Sequence, residues 1–137
     1  MTDSRFVRLL WIHLALTVAL TAASVAAIFF PSYSDTLAVA YENEPENGLL
    51  GNVLVSGIVL VPLFLAWLTG LVGLFFFKRW ARSLSLYVTL FGLIISAFLG
   101  PFLYSGLEAS LFDASSILWG FILALSYYSS ISARFEG

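Results

Sequence analysis

Four long apolar runs dominate the chain, at about residues 9–30, 52–77, 80–99 and 111–131. Each holds roughly 20 residues or more, the length an α-helix needs to cross a ~30 Å hydrocarbon core. A transmembrane strand would alternate apolar and polar residues over about 10 positions, and these runs do not alternate. Inside hydrocarbon a helix satisfies its own backbone hydrogen bonds, so continuous apolar runs read as helices. The expected architecture is all-α: an integral membrane four-helix bundle in a single domain of 137 residues.

Composition excludes the alternatives. The chain is 61% hydrophobic and 10% charged, against roughly 45–50% and 25% in a soluble domain. A chain this short lacks the polar surface to cover such a core in water. The absence of cysteine excludes a disulfide framework, thiolate metal sites and thiol redox chemistry. A net charge of −2 gives no reason to expect a nucleic-acid partner.

Charge placement predicts the topology. Arg5 and Arg8 precede the first run, Lys78, Arg79 and Arg82 cluster between the second and third, and Arg134 follows the fourth. The segments 31–51 and 100–110 carry Asp35, Glu42, Glu44, Glu46 and Glu108 but no Lys or Arg. The positive-inside rule then places both termini and the Lys78–Arg82 turn in the cytoplasm, in a multi-pass protein of a bacterial inner membrane. The first run is too long, and continues too far past Ser24-Val25-Ala26, to be a cleaved signal peptide. Trp11, Trp80, Tyr127 and Tyr128 fall near the expected inner boundary, and Tyr33, Tyr41 and Tyr104 near the outer one. Trp67 falls mid-run, as a lipid-facing or core residue.

The acidic outer loop 31–51 is the only polar segment of any size. Ser34 and Asp35 suit the start of a short helix through Tyr41. Glu42, Glu44 and Glu46 lack the ligand order of a calcium loop and read as a solvated acidic cluster. Pro62, inside the second run, predicts a kink near Ile58–Pro62. Gly100-Pro101 reads as the stop of the third.

Small residues recur at four-residue spacing, which puts them on one helical face. They are Ala15, Ala19, Ala23 and Ala27 in the first run, and Ala66 and Gly70 in the second, with Gly73 three further on. The third run has Gly92, Ser96 and Gly100, and the fourth has Ser116, Gly120 and Ala124. Such stripes let helix backbones approach closely. His13 is the only histidine, one turn into the first run. It reads as an interfacial residue bonded to headgroup, water or a carbonyl, with a functional intramembrane role as the sharper alternative. A single histidine cannot build a bis-histidine haem site or a catalytic zinc site. No phosphate loop, nucleophile elbow or mid-span carboxylate is present, so neither a cofactor nor an enzymatic activity is expected.

Trp119, Tyr127-Tyr128, Ser132 and Arg134-Phe135, with the turn Phe77-Lys78-Arg79 and Tyr87, make a recognisable pattern. It resembles that of a bacterial family of small four-span membrane proteins of unknown function. The resemblance implies four spans and cytoplasmic termini, and it implies no activity or site. The reading is a small membrane subunit or regulatory partner, non-enzymatic, acting in the lipid bilayer alone, as a homodimer or with another membrane protein. The alternative is a small transporter or channel component, with Pro62 as hinge and His13 as gate or proton site.

Overall fold

A computed structural model describes residues 2–30, 34–42, 53–98 and 104–136. It is all-α: α1 (Asp3–Phe29), α2 (Asp35–Glu42), α3 (Val53–Phe75), α4 (Arg79–Ser96), α5 (Gly106–Tyr128) and a closing 3₁₀ turn (Ser132–Phe135). No strand occurs among the described residues. Three helices, α1, α3 and α5, are long and apolar enough to cross a membrane. The third apolar run is the exception. Its helix, α4, spends its first turn on Arg79 and Arg82 and carries Ser83, Ser85 and Thr89, so its apolar content falls short over 18 residues.

Helix ends depart from the apolar runs because capping follows polar residues. The α1 helix starts at Asp3, whose carboxylate suits the first turn of a helix. The start of α5 falls before the run at about 111, fixed by a capping box. Ser105 Oγ accepts from the Glu108 N–H at 3.2 Å, and the Glu108 carboxylate accepts from the Ser105 N–H at 2.8 Å. Glu108, which the sequence places in the outer loop, is therefore buried in the first turn of α5. Ser34 starts α2, its hydroxyl accepting from the Leu37 N–H at 3.4 Å. The α3 helix runs on through Pro62, which faces outward. Glu44, Glu46, Gly100 and Pro101 lie outside the described residues.

The helices associate as two antiparallel pairs, α3 with α4 and α1 with α5. In the first pair the backbones touch at glycine. A Cβ on Gly70 would sit 2.5 Å from Ser85 Oγ and 3.5 Å from Ser85 Cα, and one on Gly73 would sit 2.5 Å from Ala81 Cβ. The other stripes do not serve the bundle in this way. Among the described residues a Cβ on Gly92 would meet only Leu63, at 3.8 Å, and one on Gly120 nothing within 4 Å. Ala15, Ala19, Ser96, Ser116 and Ala124 are exposed, and Ala23 and Ala27 half-buried. The stripes in α1 and α5 lie largely outside the bundle because larger residues, Phe6, Leu10, Ile122 and Leu123, fill the interior.

The two pairs join at one end. Phe6 and Leu10 of α1, Leu71 and Leu74 of α3, Ala81 of α4, and Ile122 and Leu123 of α5 form the core there, with Ile131 and Phe135 below them. The 3₁₀ turn tucks Phe135 under the bundle, 5.9 Å from Phe6 and 5.4 Å from Phe77 between ring centroids. The α3–α4 turn is a Schellman closure, with Lys78 N–H donating to Gly73 O at 3.0 Å and Phe77 N–H to Leu74 O at 3.1 Å. Its left-handed residue is Phe77, at φ 52°. A phenylalanine there costs roughly 1–2 kcal/mol over glycine, which the ring offsets by packing on Phe6 and Phe135. The start of α1, the α3–α4 turn and the end of the described chain thus share one end of the molecule.

Candidate functional site

Above this core all four long helices contribute to a polar cluster inside an otherwise apolar bundle. His13 and Thr17 lie one turn apart on α1, and Ser115 and Trp119 one turn apart on α5. Trp67 comes from α3 and Thr89 from α4. The His13 side chain is buried, at 4% exposure. Its ring stacks on Trp119 with centroids 4.7 Å apart, and Trp67 stands edge-on at 5.9 Å. Trp119 Nε1 donates to Thr89 Oγ1 at 2.8 Å, and Thr89 donates to Ser85 O at 2.7 Å. Beside the cluster is a cavity of about 210 Å³, lined by His13, Thr17, Trp67, Phe112, Ser115 and Trp119 among others.

His13 is thus buried among the helices rather than exposed to headgroup or water. The longer α1 places Phe6 and Leu10 in the core, and His13, one turn on, faces the same interior. Trp67, its neighbour, lies eleven residues before Lys78. At ~1.5 Å rise per residue this is about 16 Å along the helix from Lys78. Trp67 is half-buried against His13 and Trp119 rather than turned to lipid alone.

Thr17 Oγ1 donates its proton to His13 O at 2.9 Å. Ser115 Oγ lies 3.2 Å from His13 Nδ1 and 3.5 Å from Thr17 Oγ1. The other ring nitrogen, Nε2, is buried and has no partner in the protein. An unpaired polar atom so buried costs about 1–3 kcal/mol. Ser85 Oγ, against Gly70, is the other such buried atom among the described residues.

Sequence reasoning singles out His13 but not Ser115 and Trp119 as its partners. Their spacing on α5 matches that of His13 and Thr17 on α1, and this is the one trace of the cluster in the sequence. Pro62 does not line the cavity.

Two further features flank the site. A groove of about 400 Å³ runs between α4 and α5, lined by Leu86, Thr89, Gly120, Leu123, Ala124, Tyr127 and Tyr128. At the basic end Arg82 is turned inward. It donates to Ser126 O at 3.3 Å, lies 3.9 Å from the Glu136 carboxylate, and sits 5.0 Å from the Tyr127 ring centre. No three His, Asp or Glu side chains converge as metal ligands among the described residues. Comparison with protein-family models, curated proteins and solved structures finds no match.

Proposed function

We propose that the chain is a four-span protein of a bacterial inner membrane, non-enzymatic, acting as a small subunit or regulatory partner of another membrane protein. Four spans are supported by the antiparallel course of α4 along α3, from Ala81 beside Gly73 to Gly92 beside Leu63. All six basic residues lie in or beside the segments that meet at one end, which the positive-inside rule makes cytoplasmic. The likeness of the tail and turn to the small four-span bacterial family supports the same topology.

The observation that carries the partner role is the outward face of α5. Gly120 and Ala124 are exposed on it, no described residue would meet a Cβ at Gly120, and the groove beside it is open. In lipid, helices associate through close backbone approach, and small residues permit it. The described residues do not pack on Gly120, which leaves this face free for a helix from outside.

Gly120→Leu tests the reading. It adds bulk where the bundle has no neighbour, so the protein melts as before. A protein that co-purifies with the unmodified chain in mild detergent is lost. Retention of that protein by Gly120→Leu, or absence of any from the unmodified chain, overturns the proposal.

A further inference from the structure

We propose that the groove at the α3–α4 turn binds one phospholipid of net negative headgroup, its phosphate at Lys78 and an acyl chain along α3. The proposal rests on the chain lying in lipid. It is independent of the partner role, which concerns the outward face of α5.

The groove is elongated and apolar. It holds about 310 Å³, and Leu68, Val72, Phe76 and Trp80 are among the residues that line it. All four are exposed, so this face is open to lipid over roughly two turns of α3. Gly73 makes the room. A Cβ there would sit 2.9 Å from Trp80 Cη2, and its absence leaves space for the indole that forms one wall. Thr69, also in the wall, donates its proton to Leu65 O at 2.7 Å and has none for a ligand.

Charge sits at one end only. Lys78 is the one charged residue lining the groove, and it is exposed. A lysine stem can lie along apolar surface while its ammonium stays at headgroup level. Among the described residues Lys78 makes no ion pair, because the carboxylates at this end are engaged elsewhere: Asp3 with Arg134, and Glu136 with Arg82. Arg82 is itself turned inward, to Ser126 O and the Tyr127 ring. Arg79, exposed beside Lys78, adds to the same positive potential.

These features select the occupant. A soluble anion would meet Lys78 and leave the apolar length unfilled. A cation is repelled. A zwitterionic lipid fits the apolar length but brings Lys78 no net charge. The tail itself gains little, because surrounding lipid is as apolar as the groove walls. The groove therefore fixes position, and headgroup charge supplies the preference.

The test is native mass spectrometry of the full chain, delipidated in mild detergent and given phosphatidylglycerol or phosphatidylcholine of the same acyl chains. The expected result is one phosphatidylglycerol per chain, held about fivefold more tightly than phosphatidylcholine, the worth of one cation at an anionic lipid surface. Lys78→Gln brings the two lipids level. Arg8→Gln removes an equally exposed cation outside the groove and keeps the preference. Val72→Trp fills the groove from an exposed position, without disturbing the core, and loses the preference. Equal retention of both lipids by the unmodified chain overturns the proposal. A loss in Arg8→Gln as large as in Lys78→Gln reduces the effect to overall charge and overturns the site. A preference that survives Val72→Trp overturns the groove as its seat. A dimer that Val72→Trp abolishes gives the groove to a second copy and overturns the lipid.

Discussion

Arg134 Nη2 lies 2.8 Å from the Asp3 carboxylate, joining the closing 3₁₀ turn to the first residue of α1. The same guanidinium lies 5.8 Å from the centre of the Phe77 ring. Phe135, the next residue, fills the space between Phe6 and Phe77. One turn thus places an ion pair at the rim and an aromatic ring at the centre of the base.

Their energetic weights differ. Both partners of the ion pair are about half-exposed, at 60% and 45%, and such pairs are worth roughly 0–1 kcal/mol. Phe135 is fully buried, and truncating a buried phenylalanine costs about 3–5 kcal/mol. In detergent melts, Phe135→Ala is expected to lower Tm strongly and Arg134→Gln barely. Equal shifts would mean the turn is held by charge.

Gly70 and Gly73 are the close contacts of the α3–α4 pair. Gly70→Leu forces bulk against Ser85 backbone as well as Oγ, and overpacking of this kind costs about 1–3 kcal/mol. Gly92→Leu meets only the flexible end of Leu63 and should leave stability nearly unchanged. Thermal unfolding of the two variants side by side checks the contrast.

The capping box at α5 gives a third expectation. Ser105→Ala removes the acceptor for the Glu108 N–H, and loss of such a cap costs about 0.5–2 kcal/mol. The loss should localise. Hydrogen exchange is expected to speed up in the first turn of α5, while amides around Trp119 stay protected.

Topology is testable because the chain has no native thiol. Ser34→Cys should react with an impermeant maleimide in intact spheroplasts, and Ser83→Cys only after lysis. The reverse pattern would mean an inverted chain, and labelling of both would mean dual orientation.

Much of the architecture was legible in the sequence, because apolar length is a local property that a membrane helix must satisfy. The three helices fit for crossing lie where continuous apolar runs fall. The α4 helix is less clear, since its apolar run includes Arg82 and its helix begins at Arg79. The site was only half legible. His13 was visible as a lone ionisable group, but its burial depends on α1 lying against α5, about a hundred residues away. No periodicity within one helix encodes which other helix it meets. The small-residue stripes misled for a related reason: they mark where a backbone can approach, not whether this bundle supplies one. Gly70 has its neighbour in Ser85, whereas Gly120 has none.

The pairing of α1 with α5 sets an order of assembly. During synthesis α3 and α4 follow each other directly and can close on Gly70 and Gly73 as a hairpin. By then α1 has already left the ribosome, and its main partner does not yet exist. It must wait in the bilayer with the His13 edge uncovered until α5 arrives and the Phe135 turn swings under Phe6. Until then the face of α1 that carries His13 lacks the helix it mainly packs on.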